Sequence, residues 1–476
     1  LLQAATEDHR RIEEEFMGKS VSKAGSRVSS SRRTSRRKFL KSAGVGAGIT
    51  ALSSVGAGPL IFVRDAKAAD KELKIVQWSH FVPGYDKWID QFVRDWGASN
   101  GVNATIDHIP HLEIAARMAA EVSANAGHDL VGINGFGPHL YRDSLVDLSP
   151  LIGELEKKYG KVGAVGRSLA FDSQTKRWPA FPDYYISFPG LYRKDLWDEI
   201  GMKPDTWDDL RKGGAKLKAK GHPVGIGMAH HQDANTSWRS VLWSFGGALQ
   251  DKSGTKVTLN SKETLEAIKY SVALYKEAMT NEVLSWDDAS NNRYLQSGRA
   301  CYIHNPISAY RTTQKTNPSV ADKIYIWKTP AGPVRRLAAG QPNSYVVWKF
   351  SRNQDAAKEF LRHYAAHWTE AFKASEGYNN PMFDNLVPKP MPILSNDPTS
   401  HPADKLKILE TAIEWHDIYG YPGPDTPAID EVANNFIIPD MMANAATGKM
   451  TPEEAMKWAE NEISATFRKW AQHSHA

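Results

Sequence analysis

Cysteine is almost absent: Cys301 is the single one in 476 residues. One thiol excludes an intramolecular disulfide and any cysteine-built metal cluster, so sulfur argues for no particular compartment. The short catalytic signatures are missing as well. No Gly-x-Ser-x-Gly elbow occurs, and Gly18-Lys19-Ser20 is no P-loop because Glu13 stands where the upstream glycine is required. Gly44, Gly46 and Gly48 fall in the N-terminal stretch and cradle no dinucleotide. His363 and His367 share a helical face but lack the glutamate of a zincin, and a surface or core role is favoured. His108 and His111, flanking Pro110, make an equally weak metal case, and His473 and His475 sit at a frayed end. We therefore expect no catalytic residue, no metal site and no cofactor. Paired carboxylates leave no short motif, so a hydrolase is not ruled out by this search.

Excess charge is scarce over most of the chain. The total is 59 Lys and Arg against 54 Asp and Glu, yet residues 1–68 hold 13 and 6 of them. The remaining residues carry 46 against 48, which removes the main support for a nucleic-acid partner. What is present is a globular composition, 41% hydrophobic, 10% aromatic and 24% charged, long enough for two or three domains. The basic stretch carries Ser35-Arg36-Arg37-Lys38-Phe39-Leu40-Lys41, then a glycine-rich apolar run from Ala43 to Val63, then Ala66-Lys67-Ala68. This order resembles a twin-arginine export signal with a small-x-small cleavage site. It implies passage through the twin-arginine translocase and release near Ala68. The run is too rich in glycine for a membrane anchor.

From Lys71 onward strand and helix patterns alternate, which predicts an α/β fold with mainly parallel sheets. Leu73-Lys74-Ile75-Val76 and Asp129-Leu130-Val131 read as strands. Trp88, Phe92 and Trp96 recur on one helical face, and Thr206 with Asp209 and Thr451 with Glu454 read as capping boxes. No internal repeat is found.

One longer stretch carries a family pattern. Arg177-Trp178-Pro179-Ala180-Phe181-Pro182 leads through Asp183-Tyr184-Tyr185 into Gly190-Leu191-Tyr192-Arg193-Lys194-Asp195-Leu196, then Pro204-Asp205-Thr206-Trp207-Asp208-Asp209-Leu210. It resembles the central crossover of the extracellular solute-binding proteins of ABC importers, the class that includes maltose-binding protein. Lys74-Ile75-Val76-Gln77-Trp78, Leu145-Val146-Asp147-Leu148, Ser344-Tyr345-Val346-Val347 with the Asn353–Leu361 segment, and Ala446-Thr447-Gly448-Lys449 agree in order, so the resemblance spans residues 70–476. It implies a two-lobed periplasmic-binding-protein fold in which each lobe is a mainly parallel sheet flanked by helices. The leader would be 1–68, the first lobe 69–183 plus 343–390, and the second 184–342 plus 391–476. Hinge crossings are expected near Phe181–Ser187, Gln341–Tyr345 and Pro388–Pro398.

The implied function is a monomeric periplasmic component that closes on a neutral carbohydrate and delivers it to the transmembrane subunits of an ABC permease. A polyol or cationic amine is the alternative ligand, and a secreted hydrolase or lyase the alternative class. Strand ends face the crevice of an α/β sheet, which selects the candidate ligand residues. From the first lobe these are Trp78, His80, Asn134 and Phe136, with Asp183, Tyr184 and Tyr185 on the crossover. From the second they are Asp233, Asn235 and Trp238, expected in a loop after Gly225-Ile226-Gly227, then Trp286, Asp287, Asn291 and Asn305. Tyr421, Asn434 and Asn435 complete the set. Core packing competes for every tryptophan in it, and helix capping competes for the group around Asp287.

Overall fold

The computed structural model describes residues 71–135 and 137–473; the twin-arginine motif, the cleavage site and Phe136 lie outside them. The first strand, β1 (Lys71–Trp78), buries Leu73 and then the run Ile75 to Trp78. The helix Pro83–Asn100 returns the chain to β2 (Val102–Ile109), which pairs parallel with β1 from Lys71 opposite Val102 to Trp78 opposite Ile109. Proline opens that helix and Gly101, at φ 64°, ends it, so the βαβ unit is punctuated by backbone chemistry. β3 (Leu130–Asn134), buried along its whole length, flanks β1 on the other side, also parallel.

β4 (Phe181–Ile186) joins this sheet and then passes through Ser187–Pro189 into β5 (Gly190–Arg193) of a second one. The second sheet contains β6 (Val224–Gly225), β7 (Tyr302–His304) and β8 (Ile324–Trp327) in the order β6-β7-β5-β8. A two-residue strand, β9 (Ala338–Ala339), precedes the returning strand β10 (Gln341–Val347), which lies between β3 and β4. β11 (Asn379–Pro381) closes the far edge, giving a six-stranded order β11-β4-β10-β3-β1-β2. β12 (His416–Asp417) pairs with β9 where the chain crosses.

One sequence expectation changes in detail. The parallel arrangement holds across β2-β1-β3, whereas β10 runs antiparallel to both β3 and β4, and β5 antiparallel to β7 and β8. The cause is topological: a strand returning from the other lobe enters from the opposite end. β4 runs whole inside the six-stranded sheet as far as Ile186, and β10 from Gln341 onward. Both predicted capping boxes form: Asp209 N–H donates to Thr206 Oγ1 at 3.0 Å, and Glu454 N–H to Thr451 Oγ1 at 3.2 Å. Among the described residues no helix is long and apolar enough to cross a membrane.

Candidate functional site

Strand ends of the two sheets converge on one buried polar cluster. On the six-stranded side, β1 ends at Trp78, whose indole N–H donates to the Tyr184 hydroxyl at 3.1 Å. The ring meets His111, just past β2, edge-on with centroids 5.6 Å apart. His111 Nε2 lies 3.3 Å from the backbone oxygen of Asn134, the last residue of β3. On the other side the helix Gln232–Phe245 begins with His231 as its cap, Nδ1 accepting the Ala234 N–H at 3.4 Å. Asp233 therefore sits in the first turn, where the free N–H groups favour an anion.

Asp233 is held from both sides. Asn291 Nδ2 donates to its Oδ2 at 2.8 Å, and Gln341 Nε2 of the returning strand to its Oδ1 at 3.1 Å. The same Asn291 amide reaches Asn305 Oδ1 at 2.7 Å, and Asn305 donates in turn to Asn292 Oδ1 at 2.7 Å. Asp288 accepts the Asp233 N–H at 3.1 Å and stands 3.3 Å from His231 Nδ1 and 3.5 Å from His111 Nδ1. The facing loops touch directly. A side chain at Gly135, whose φ is +84°, would meet Gln232 at 2.9 Å. Asp430, on the helix Pro427–Asn434, accepts the N–H groups of Gly137 at 2.7 Å and His139 at 3.1 Å.

Burial and neighbouring charge set opposite titrations here. Burial pushes the Asp233 carboxyl up to about 7, helped by the negative charge of Asp288. Burial acts on Asp288 in the same direction, but His111 and His231 outweigh it and its pKa falls below the usual carboxylate range. For His111 burial disfavours the charged ring, and Asp288 outweighs that, so its pKa rises. Burial also pushes Asp430 up to about 7 against the backbone N–H groups it accepts. A buried anion persists only where such donors compensate its lost hydration.

The structure brings Trp78, Asn134, Tyr184, Asp233, Asn291 and Asn305 into or against this cluster, and Trp286 packs close by against Gly225 and Tyr294. Others lie elsewhere. Asp183 is fully buried and accepts from Tyr364, Trp368 and Asn343, because β4 points it toward the helices behind the sheet. His80 ties the loop after β1 to β11 through Asn379 Oδ1 at 3.0 Å, and burial lowers its pKa to about 4. Tyr185 is buried beside His416, 6.2 Å between centroids. Asp233, Asn235 and Trp238 belong to a helix rather than the expected loop; Trp238 donates to Gly227 O at 2.9 Å inside the core, and Asn235 to Ala433 O at 2.8 Å. Asp287 is exposed and accepts from Ser290 and Arg293, away from the buried cluster. Tyr421 packs tilted against Trp243 and accepts from Arg335, Asn434 is half-buried at a helix end, and Asn435 is exposed. Sequence reasoning passed over His231, Gln232, Asp288 and Gln341, and dismissed His111. None carries a local motif; only the meeting of strand ends joins them.

A sequence profile of the bacterial extracellular solute-binding proteins matches residues 83–367. The chain belongs to that family. This solute-binding protein is 25% identical over 306 residues to a probable ABC transporter-binding protein of Deinococcus radiodurans, covering 61% of this chain and 71% of that one. In structure it is similar to maltose-bound MalE3 of T. maritima, with a TM-score of 0.69 at 21% identity over 83% of this chain and 99% of the other. It is likewise similar to a sugar transporter protein of Arthrobacter chlorophenolicus with bound laminaribiose, with a TM-score of 0.71 at 18% identity over 83% and 99%. The two-lobed periplasmic-binding-protein fold follows. The solute-binding protein binds a solute for an ABC transporter and is not an enzyme.

Proposed function

We propose that this protein is the periplasmic component that captures a neutral carbohydrate between its lobes, as a monomer, and hands it to the transmembrane subunits of an ABC permease. The observation that carries the reading is the composition of the cluster at the strand ends. An indole, Trp78, meets His111 at the border of a cluster of amides and carboxylates, and no lysine or arginine takes part in the hydrogen bonds of Asp233, Asp288, Asn291 or Asn305 among the described residues. Amides and carboxylates suit the hydroxyls of a sugar, an indole face suits its C–H surface, and an anionic solute would call for arginine. The sugars held by two similar structures, maltose and laminaribiose, agree with this. The lobes divide at the crossings after Ile186 and before Gln341, with a further passage between β11 and Asp397, which pairs with Arg311. Export through the twin-arginine translocase and cleavage near Ala68 belong to the same proposal.

Two buried carboxylates beside an aromatic ring favour one second reading, a cationic amine ligand. Thermal unfolding against maltose, laminaribiose, polyols and amines separates the two. A ligand at 100 times its dissociation constant adds about 2.7 kcal/mol and raises the midpoint by several degrees. A response to sugars alone supports the proposal; a response to amines alone replaces it.

A further inference from the structure

His111, His231, Asp233 and Asp288 make an arrangement that a neutral sugar does not explain. His111 Nε2 faces the Asn134 carbonyl at 3.3 Å, which makes Nε2–H the donor and turns Nδ1 toward Asp288. Asp288 Oδ2 lies 3.5 Å from it, and neither atom has a hydrogen-bond partner. Both side chains are 8% exposed. His231 lies on the other flank of Asp288: its Nδ1 receives the Ala234 N–H at 3.4 Å and stands 3.3 Å from Asp288 Oδ1, while its Nε2 has no hydrogen-bond partner and the ring is wholly buried. Donor atoms of His231, Asp233 and Asp288 all lie within 4.8 Å of one another. Two carboxylates as close as Asp233 and Asp288 in a dry site repel unless positive charge, on a ring or on a bound ion, stands among them.

We propose that these four residues form a divalent transition-metal site that clamps the loop after β2 to the first turn of the helix Gln232–Phe245 across the cleft. Two ligands at about 2.0–2.2 Å from a tetrahedral ion stand about 3.3–3.5 Å apart, the spacing seen around Asp288. Imidazole with carboxylate and no thiolate suits zinc and its first-row neighbours rather than calcium or magnesium. The surroundings orient the ligands as metal sites require: the Asn134 carbonyl fixes the His111 tautomer, and the Asn291 and Gln341 amides hold Asp233. Because His111 comes from the six-stranded side and the other three from the opposite side, occupancy favours the closed arrangement. This goes beyond the carbohydrate reading but uses the same Asp233 and Asp288 carboxylates.

The test is calorimetric titration of the purified, EDTA-stripped protein with Zn2+ alone, followed by Co2+ absorption to report the ligand geometry. One tight equivalent is expected, with a tetrahedral cobalt spectrum, and scattering should show contraction on binding. Asp288→Asn keeps the shape of the side chain and His111→Ala removes the contribution from the other lobe. Each should weaken Zn2+ by more than about 10–100-fold, the range for merely supporting residues, with the far-ultraviolet dichroism unchanged. Absence of saturable binding, or an affinity indifferent to both variants, overturns the site and assigns any uptake to histidines elsewhere in the chain. Repeating the maltose melts with EDTA and with Zn2+ keeps the proposals apart, since a sugar response without metal uptake removes only the clamp.

Discussion

Replacing Asp183 with asparagine should stabilise this protein at mildly alkaline pH, although the carboxylate it removes makes three hydrogen bonds. Tyr364 Oη and Trp368 Nε1 donate to Oδ1 at 3.0 Å each, and Asn343 Nδ2 donates to Oδ2 at 3.0 Å. Burial nevertheless pushes the pKa from 3.8 to about 7, against the pull of those donors. A carboxyl whose folded pKa lies above its unfolded value is protonated in both states below about pH 4, where it carries no penalty. As the pH rises toward 7 the unfolded chain releases a proton that the folded chain keeps. Stability falls by about 1.4 kcal/mol per pH unit, roughly 4 kcal/mol in all, and levels off above about pH 7. Asp183→Asn abolishes that loss. Its new amide N–H meets Asn343, whose Oδ1 has no hydrogen-bond partner, so turning over the Asn343 amide restores the pairing. The variant should exceed the parent by about 1–3 kcal/mol at pH 8, once the weaker neutral hydrogen bonds are subtracted. The difference should vanish or reverse near pH 4. Urea unfolding of both proteins across that range measures it. A variant less stable than the parent by the same margin at every pH would refute the reasoning.

Four shorter predictions follow from the cleft and the termini. Asp430→Ala removes the acceptor for the Gly137 and His139 N–H groups; amide exchange at those two positions should accelerate at least about tenfold. Gly135→Ala sets a methyl group 2.9 Å from Gln232 at a positive φ, so sugar affinity should fall with little change in the fold of either sheet, as read by calorimetry and circular dichroism. Thr451→Ala breaks the capping box of the C-terminal helix, and the denaturation midpoint should report a loss of about 1 kcal/mol. Replacing Arg36 and Arg37 together with lysine should leave the protein in the cytoplasm, which cell fractionation reads directly.

Local chemistry was legible wherever a residue acts within one element. The capping pairs Thr206–Asp209 and Thr451–Glu454, the strand Leu73–Val76 and the helical stripe Trp88-Phe92-Trp96 need only near neighbours, and all appear as expected. The crossover at Phe181–Ile186 was legible through its ordered motifs. The site was legible only in part, because a strand end says that a residue is near the crevice but not which way it points. Trp78 and Asp183 are alike by that rule, yet one faces His111 and the other turns to Tyr364 and Trp368. Asp233, Asn235 and Trp238 lie in the helix Gln232–Phe245 rather than in the loop expected after Gly225-Ile226-Gly227: Gln232-Asp233-Ala234-Asn235-Thr236-Ser237 is weak in helix propensity, and tertiary burial of that first turn prevails. His111 and Asp288 are 177 positions apart in the chain and meet only when the lobes do. No spacing rule reaches that far.

Binding of a neutral sugar by the purified protein tests the central claim most directly. Calorimetric titration with maltose and laminaribiose, in the parent and in Trp78→Ala, separates specific capture from weak association. The account predicts saturable one-to-one binding of at least one neutral sugar, recovered chemically unchanged, and a loss of about 1–3 kcal/mol when the Trp78 indole is removed. Absence of heat with every neutral sugar, or binding indifferent to Trp78, would contradict it and leave the two-lobed fold without a carbohydrate ligand.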